Sequence, residues 1–294
     1  SAARPAPATA SAAGRTAIVT TMKNEGPFIL EWLAYHRAIG VDDFLIYTND
    51  CSDGTDGLLA LLDARGIVTH RDNPYRSMGL PPQHAALQAA EAEAVVAAAG
   101  WLICMDVDEF ITVKLGTGRL ADLYAAAGEA NMISLTWRLF GNADVHGFED
   151  RFVIGQFTRC APELIRKPHH AWGFKTLFRN LQIYRKLGVH RPKGLKPDLW
   201  DQIHWLNGSG RQMPVGMLRN GWRSTAETYG YDWVSLNHYA VRSAESFLVK
   251  RDRGRVNHVD RDQGLNYWFR MNHNTEEDSA ILRMVPAART EFAR

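Results

Sequence analysis

The 294-residue sequence predicts an α/β fold in which a mostly parallel central sheet carries helices on both faces. Three observations predict it. Short apolar runs rich in β-branched residues recur through the first half of the chain, and segments with helical spacing separate them. The connections between these segments are short and polar, and glycine stands where helices are expected to end. Strands that alternate with helices in this way form parallel sheets covered on both faces.

The predicted strands and helices follow one another in a regular order. The predicted strands are residues 17–21, 44–47, 67–69, 101–105, 132–137 and 233–236. The predicted helices are residues 28–39, 58–65, 83–99 and 243–250. Gly40, Gly66 and Gly100 follow the first three helices, and Ser243 is the expected N-cap of the last. Between residues 141 and 235 the regular spacing of apolar residues is mostly lost, which is typical of functional loops and lids.

We divide the chain into three parts. Residues 1–15 are rich in Ala, Pro and Ser, and we predict that they form a disordered leader or linker. Residues 16–260 contain every predicted strand and are expected to form one domain. Residues 261–294 are expected to be a C-terminal extension that packs on this domain or extends from it.

Composition excludes several classes of protein. The formal net charge is +2 and no block of like charge occurs, so we expect no nucleic-acid partner. The three cysteines are odd in number and far apart, which favours reduced thiols in a cytoplasmic protein. No apolar run approaches the ~20 residues of a membrane span. We therefore predict a cytoplasmic protein without a transmembrane segment, for which peripheral contact with the inner face of the membrane stays open.

Polar residues follow the first two predicted strands. Asn24 and Glu25 come after the first strand, and Asp50 and Asp53 come after the second. The carboxyl ends of parallel strands meet at one edge of a sheet, and ligands of such sheets bind there. We therefore expect these four side chains to lie close together at a ligand site.

The segment Asp106-Val107-Asp108 is the sharpest chemical feature of the sequence. It follows a buried strand directly, and alternate residues of an extended segment point the same way, so both acids are expected to face one pocket. Neighbouring carboxylates repel each other unless a cation lies between them. Mn²⁺ and Mg²⁺ accept such oxygen ligands and bridge carboxylates to phosphates. Glu109 extends the acidic cluster and is expected to bind the metal through water, to orient a neighbour or to cap the next segment.

Several histidine and basic residues in the second half of the chain are further candidates. A neutral imidazole is a good ligand for Mn²⁺, so we predict His238 as a metal ligand, and His190 competes for the same role. Arg242 and Lys250 are predicted to bind phosphate, because guanidinium and ammonium groups recognise it. Lys175 is a candidate for contact with donor or acceptor.

The polar segments at the strand ends form a specific combination. They are Asn24-Glu25, residues 49–55, Gln83 at the start of a helix, residues 101–110, 137–141 and 237–243, with Phe247 and Lys250-Arg251. Together these segments resemble the glycosyltransferase family 2 pattern, and more narrowly its branch close to glycosyltransferase family 92. The resemblance covers about residues 16–258. It implies a GT-A fold of Rossmann-like type with an irregular C-terminal part that forms an acceptor wall and a lid.

The same resemblance implies ligands and roles. The donor is expected to be a nucleotide diphosphate sugar, with a UDP-sugar favoured, and the cofactor Mn²⁺ or Mg²⁺. The residues implied for the nucleotide pocket are Asn24, Glu25, Asp53, Gln83 and Asp106, to which we add Thr21 at the end of the first strand. Asp108 is implied as a direct metal ligand, with Asp106 facing the metal or the ribose. The loop that contains Asp50 departs from the family pattern, so Asp53 is the better candidate of the two.

An inverting transfer also needs a general base that takes the proton of the acceptor hydroxyl. We favour Asp150 or Glu149, because both follow Phe140-Gly141 on a loop expected to border the acceptor. The alternatives are Asp144, Asp198, Asp201, Glu227 and Asp232.

These observations predict a metal-dependent glycosyltransferase that uses a carbohydrate, lipid-linked or other hydroxyl acceptor. Two alternatives remain at this point. A nucleotidyltransferase also combines a parallel sheet, a metal and carboxylates, although the segment 23–26 lacks the expected glycine-rich loop. A carbohydrate-binding or scaffold protein with a degenerate site is the second. The sequence does not indicate the sugar, the base, the acceptor or the oligomeric state.

Overall fold

The computed structural model describes residues 14–165, 167–168, 170–252 and 264–294. The strands are β1 Thr16–Met22, β2 Asp43–Thr48, β3 Thr69–Asp72, β4 Trp101–Cys104, β5 Glu109–Val113, β6 Met132–Leu139, β7 Arg159–Cys160, β8 Phe174–Arg179, β9 Trp205–Leu206, β10 Val234–His238 and β11 Glu276–Glu277. The helices are α1 Gly26–Ile39, α2 Thr55–Ala64, α3 Tyr75–Met78, α4 Pro82–Ala90, α5 Ala94–Ala98, α6 Leu120–Ala127, α7 Val153–Gln156, α8 Met217–Asn220, α9 Ala244–Asp252, α10 Leu265–Met271 and α11 Val285–Phe292. Two 3-10 segments are Pro197–Gln202 and Ala280–Met284.

The central sheet is mixed but mostly parallel, as predicted. Its strand order is β3-β2-β1-β4-β8-β6-β10-β5, and β9 pairs with β6 beside this path. The neighbours β3, β2, β1 and β4 are parallel, and β10 and β9 run parallel to β6. Strands β8 and β5 are antiparallel to their neighbours. The parallel orientation of the first four strands therefore agrees with the prediction, while the antiparallel strands β8 and β5 were not predicted.

Helices cover both faces of the sheet, as predicted. On one face α1, α2, α6 and the end of the chain enclose an apolar core that contains Trp32, Ile103 and Leu123. On the other face α4 and α5 enclose a second core with Ala86 and Val96. The inner strands are buried on both sides, which explains why they appear in the sequence as continuous apolar runs.

Two predicted elements differ from the structure. The helix predicted over 83–99 is two helices, α4 and α5, because Glu93 is extended and binds Arg71 through both carboxylate oxygens. The third strand lies at Thr69–Asp72 instead of 67–69, because the turn after α2 uses the backbone of Gly66 and Ile67. The end of α1 was predicted correctly: Gly40 has φ 109°, a conformation that glycine adopts without strain.

The described residues of the C-terminal segment pack against α1. Ile281, Met284 and Ala288 are buried in the first apolar core, and the side chain of Arg37 contacts Glu291. The predicted leader falls mostly outside the described residues. The three cysteines are free thiols. Among the described helices, none has both the length and the apolar character that a membrane span requires.

Candidate active site

The loops that follow β1 and β2 are joined to each other, as the topology predicted. The side-chain oxygen of Asn24 accepts the N–H of Ser52 at 2.8 Å, and the Asn24 amide donates to the Ser52 hydroxyl at 3.0 Å. The backbone N–H of Glu25 donates to the Thr55 hydroxyl at 3.0 Å. Asn24 has φ 53°, which turns the chain sharply after β1. The two loops therefore form one polar edge at the carboxyl ends of β1 and β2.

Asp53 holds the start of two helices within this edge. One of its oxygens accepts the N–H and the hydroxyl of Thr55, at 2.9 and 2.6 Å, and the other accepts the N–H of Gly26 at 3.2 Å. Partial burial would raise the pKa of Asp53, but these hydrogen bonds lower it. Asp53 is thus an ionised, exposed carboxylate whose position is set by the ends of α1 and α2.

Asp50 has different partners from Asp53. Its two oxygens bind the Tyr75 hydroxyl at 2.7 Å and the Arg76 guanidinium at 2.6 Å. Both partners belong to the short helix α3, so Asp50 attaches α3 to the β2 loop. Asp50 therefore holds a short neighbouring helix, while Asp53 holds the starts of α1 and α2.

The segment from Asp106 to Glu109 is a tight turn and not the extended segment that was expected. The N–H of Glu109 donates to the Asp106 carbonyl at 3.1 Å, and a Glu109 carboxylate oxygen accepts the Asp106 N–H at 2.8 Å. The turn connects β4 to β5, which leaves the sheet centre and pairs with β10 at its edge. The carboxylates of Asp106 and Asp108 consequently have different partners.

Lys175 of β8 is the partner of Asp106. The Lys175 side chain is 1% exposed, and its ammonium lies 3.1 Å from Asp106 Oδ2 and 3.9 Å from Glu109 Oε1. Glu109 is fully buried, and its Oε1 accepts the indole N–H of Trp137 at 2.7 Å. Burial would lower the pKa of Lys175, but the two carboxylates raise it, so the lysine is charged.

Asp108 is held between Lys250 and His238. The Lys250 ammonium lies 2.5 Å from Asp108 Oδ2 and also donates to the Ala240 carbonyl at 3.2 Å. His238 Nε2 lies 3.5 Å from Asp108 Oδ1. Burial would raise the pKa of Asp108, but the charge of Lys250, the hydrogen bond from His238 and the charge of Arg242 hold it well below its usual range. Asp108 is therefore ionised although it is buried.

Arg242 lies close to this carboxylate and is itself buried. Its guanidinium binds Glu25 at 3.0 Å and stacks over the Phe28 ring, with 3.5 Å between the guanidinium carbon and the ring centroid. Arg242 has φ 56°, a conformation that is uncommon for a residue with a side chain. Its Nε and Nη2 atoms are buried and have no hydrogen-bond partner among the described residues. A phosphate group would satisfy such donors.

Two other predicted residues lie near the ends of these strands. Gln83, at the second position of α4, donates to Asp106 Oδ1 at 3.3 Å. Thr21 lies near the end of β1, and its hydroxyl is buried without a partner in the described part of the chain. Asn24, Asp106 and Gln83 are therefore arranged around the ends of β1 and β4.

His190 lies close to Lys175. Its Nδ1 bonds to the Phe174 carbonyl at 2.9 Å, and its ring packs against Trp137 and Trp222. Burial and the nearby charge of Lys175 lower the pKa of His190 to about 4, so its ring is neutral. Among the residues that the structure describes, His190 forms no hydrogen bond or ion pair with Asp106 or Asp108, and both histidines predicted as metal ligands pack against the ring of Trp137.

Glu149 and Asp150 lie on an exposed loop. The Glu149 carboxylate pairs with Arg151 at 2.9 Å. The neighbouring ring of Phe148 packs edge-on against Phe28, the residue that lies under Arg242. The loop of the two candidate bases therefore borders the same corner of the site as Arg242.

The donor set fits a divalent cation in part. Within the described ranges, no three His, Cys, Asp or Glu side chains are grouped closely enough to hold a metal by themselves. Asp108 and His238 supply one oxygen and one nitrogen that face each other, and the buried Nδ1 of His238 has no partner there. An oxygen and an imidazole nitrogen suit Mn²⁺. Asp106 and Asp108 are each paired with a lysine, Lys175 and Lys250, and of the two acids Asp108 is the one that faces an imidazole nitrogen.

The sequence singled out Asp106, Asp108, His238, Arg242 and Lys250, and the structure brings these residues into one region. It did not identify Lys175 as the partner of Asp106 or Trp137 as a donor to Glu109. A lysine within an apolar strand was the available signal for Lys175, since buried lysines need a counter-charge.

Comparison with known proteins identifies sequence relatives of this chain. The family model for Glycosyltransferase family 92 matches residues 19–198. A family 92 protein of Oryza sativa subsp. japonica is 33% identical over 240 residues, covering 79% of this chain and 34% of the relative. One of Ricinus communis is 32% identical over 240 residues, covering 79% of this chain and 36% of the relative. The chain thus spans about a third of the length of these curated relatives.

Solved structures are more distantly similar. The glucosyl-3-phosphoglycerate synthase of Mycobacterium tuberculosis, in complex with Mn²⁺, UDP and glucosyl-3-phosphoglycerate, has a TM-score of 0.36 and 14% identity, covering 74% of this chain and 81% of that one. S. aureus TarS 1-349 in complex with UDP has a TM-score of 0.33 and 13% identity, covering 56% of this chain and 46% of that one. No site residue is carried over from either structure.

Proposed function

The chain belongs to glycosyltransferase family 92, and from this premise we propose that it transfers a sugar from a nucleotide diphosphate donor to an acceptor hydroxyl. The transfer depends on a divalent metal, Mn²⁺ or Mg²⁺, and inverts the anomeric carbon. A UDP-sugar is the proposed donor on the basis of the motif resemblance described above.

One observation carries the proposal. The buried, ionised carboxylate of Asp108 lies at the end of the sheet among His238, Lys250 and Arg242. Leaving-group departure places negative charge on a diphosphate, and fixed cations next to that position stabilise it in the transition state. A structural role alone does not require three basic groups around one buried acid.

Asp108 and His238 are the residues that would hold the divalent cation. When bound, the cation supplies a Lewis acid that neutralises charge on the departing diphosphate. A carboxylate oxygen and an imidazole nitrogen are ligands that suit Mn²⁺. Asp106, which Lys175 keeps in place, is proposed to face the ribose of the donor.

The residues on the β1 and β2 loops bind the nucleoside in this proposal. Asn24 and Asp53 line one continuous edge, and Asp53 is ionised and exposed. Carboxylates accept hydrogen bonds from ribose hydroxyls and from the N–H groups of bases. Arg242 and Lys250 bind the diphosphate, because the buried N–H groups of Arg242 need acceptors.

Asp150 or Glu149 takes the proton of the acceptor hydroxyl. A carboxylate within hydrogen-bond reach of the attacking oxygen acts as a general base and increases its nucleophilicity. The loop of these residues is next to Phe28 and Arg242, which supports this role.

The proposal is tested by calorimetry with UDP in the presence and absence of Mn²⁺. We expect UDP to bind much more tightly with Mn²⁺, and Asp108→Asn to abolish the metal-dependent part. Asp198→Asn, an exposed acid outside the cluster, is the matched control and should bind like the wild type. Release of UDP from a UDP-sugar panel then identifies the sugar.

Three results would contradict the proposal. Equal UDP affinity with and without Mn²⁺ in the wild type would remove the metal from the mechanism. No binding of any nucleotide diphosphate would favour the scaffold alternative, and release of pyrophosphate from a nucleoside triphosphate would favour a nucleotidyltransferase.

A further inference from the structure

A cavity of about 650 Å³ lies beside the catalytic cluster, in the irregular part of the chain between β8 and β10. It is lined by two tryptophans, Trp200 and Trp222, by the imidazole of His190, and by basic residues that include Lys193 and Arg219. Cavities of about 300–1,000 Å³ hold small ligands. Flat aromatic side chains next to polar groups are suited to the apolar face of a sugar ring.

The cavity is positively charged without a protein counter-charge. None of its lining residues is an aspartate or a glutamate. Arg191, Lys193 and Arg219 form no ion pair with any residue that the structure describes. The Arg219 guanidinium lies over the Trp200 ring, 5.0 Å from its centroid, and this contact keeps it at the cavity wall.

Arg191 adds a buried charge to this excess of positive charge, because it is only 7% exposed. Its guanidinium donates only to backbone carbonyls, those of Gly221 at 2.9 Å, Pro192 at 3.1 Å and Arg219. Burial lowers the pKa of Arg191. A buried charge without an opposite charge is costly, and an anion bound nearby offsets that cost.

The cavity is connected to the catalytic cluster through His190. His190 lines the cavity and bonds to the Phe174 carbonyl, and the next residue, Lys175, binds Asp106. His190 also packs against Trp137, the donor to Glu109. His190 at the inner wall of the cavity is therefore linked to Asp106 through two consecutive residues of β8, Phe174 and Lys175.

We propose that this cavity binds the acceptor, and that the acceptor is an acidic carbohydrate whose carboxylate or phosphate group lies against Arg219 and Lys193. The proposal rests on the glycosyltransferase function proposed above and names the substrate class of that site. Trp200 and Trp222 contact the sugar rings, and the neutral ring of His190 lies at the end nearest to the donor.

The strand order favours an acceptor over the nucleotide in this cavity. The proposed nucleotide residues Asn24 and Asp53 follow β1 and β2, on one side of β4. The cavity adjoins β8, on the opposite side of β4. Asp106, after β4, lies between the two, which is where donor and acceptor must meet.

The test is calorimetric binding of three probes to the full chain in the presence of saturating UDP and Mn²⁺. Methyl β-D-glucuronide carries a carboxylate, glucose 6-phosphate carries a phosphate, and methyl β-D-glucoside is neutral. We expect at least one charged probe to bind about tenfold or more tighter than the glucoside. Comparison of the two charged probes distinguishes carboxylate from phosphate as the recognised group.

Variants locate the binding site. Arg219→Gln and Lys193→Gln should each weaken binding of the preferred charged probe by about tenfold. Lys186→Gln removes the same charge from the ribbon that pairs with Lys193, but outside the cavity, and should bind like the wild type. Circular dichroism confirms that each variant is folded.

Several outcomes would overturn the inference. They are equal or tighter binding of the glucoside, no binding of either charged probe, wild-type affinity in Arg219→Gln and Lys193→Gln, or displacement of the bound probe by added UDP. Each of these leaves metal-dependent UDP binding to be judged separately. If UDP binding persists, only the acceptor assignment fails; if UDP binding is absent, the proposed function fails as well.

Discussion

The ammonium of Lys250 lies 2.5 Å from Asp108 Oδ2, while His238 Nε2 faces the other oxygen of the same carboxylate at 3.5 Å. Lys250 comes from α9, and Asp108 precedes β5 at the edge of the sheet. A buried carboxylate without a counter-charge would be strongly destabilising. The lysine therefore compensates the charge of Asp108 at the position where a divalent cation would provide the same compensation.

Replacing Lys250 should change metal and nucleotide affinity in opposite directions. In Lys250→Met one oxygen of Asp108 loses its cation, so we expect Mn²⁺ to bind the nucleotide-free protein about tenfold more tightly. UDP should bind more weakly, because a phosphate contact is lost. Electron paramagnetic resonance of free Mn²⁺ and calorimetry with UDP measure the two effects.

Arg251→Gln is the control for this prediction, because Arg251 lies on the same helix and pairs with Asp252 instead. It should leave both affinities unchanged. Unaltered Mn²⁺ affinity in Lys250→Met would mean that the lysine and the metal do not compete for Asp108.

Removing the buried charge of Lys175 should destabilise the fold. Lys175→Met leaves the partly exposed Asp106 and the buried Glu109 without their common cation, and leaving such groups without a partner costs about 1–3 kcal/mol. Asp106→Asn should reduce the penalty. The free energy of unfolding of the double variant should therefore exceed the value expected from adding the two single effects by about 1–3 kcal/mol. Urea denaturation of the four proteins measures this coupling.

Lys196→Met, an exposed lysine, is the control and should change the free energy of unfolding by less than about 0.5 kcal/mol. Additive effects of Lys175→Met and Asp106→Asn would indicate that the two side chains do not interact in solution.

The sequence predicted the inner part of the fold well because burial leaves a clear signal there. Strands β1, β2 and β4 are buried on both faces, and such strands appear as continuous apolar runs. Strand β8 was missed because Lys175, Thr176 and Arg179 interrupt its apolar pattern. Its antiparallel insertion between β4 and β6 depends on pairing between distant segments, which a local pattern does not contain.

The candidate site was predictable to a similar extent. Asp106 and Asp108 stand out because they follow a buried strand, and this position can be read locally. Their lysine partners are 69 and 142 residues away in the chain, so the sequence could not pair them. The tight turn at Asp106 was also not predictable, since it depends on the buried carboxylate of Glu109.

Glu31 should make stability depend on pH. It is buried in α1 and accepts the N–H groups of Val153 and Ile154. Burial raises its pKa from 4.5 to about 7, although these hydrogen bonds and the charge of Arg242 act in the opposite direction. The folded state thus holds the proton more tightly than the unfolded state. The stabilising contribution of protonated Glu31 is complete below pH 4.5 and is lost as the pH rises through 7.

Glu31→Gln remains uncharged and should lack this loss. Between pH 5 and 8 the free energy of unfolding of the wild type should fall relative to that of Glu31→Gln by about 2–3 kcal/mol. Other titrating groups, such as the buried His36, contribute equally to both proteins and cancel in the difference. Urea denaturation at the two pH values measures it, with Glu129→Gln, an exposed acid, as a control that should show no such difference. A parallel pH profile for wild type and Glu31→Gln would contradict the prediction.

Asp150 and Glu149 should differ as general base, because their surroundings differ. The Glu149 carboxylate is paired with Arg151, whereas Asp150 has no hydrogen bond or ion pair from its side chain within the described ranges. We therefore expect Asp150→Asn to lower kcat about 100-fold or more, since general-base catalysis contributes typically 10²–10⁴. UDP affinity in the presence of Mn²⁺ should not change, because Asp150 does not contact the donor in this proposal.

Glu149→Gln should retain most of the activity. The opposite pattern would assign the general base to Glu149. Full activity in both variants would place the general base outside this loop. The contact of the loop with Arg242 through Phe28 would then serve donor binding alone.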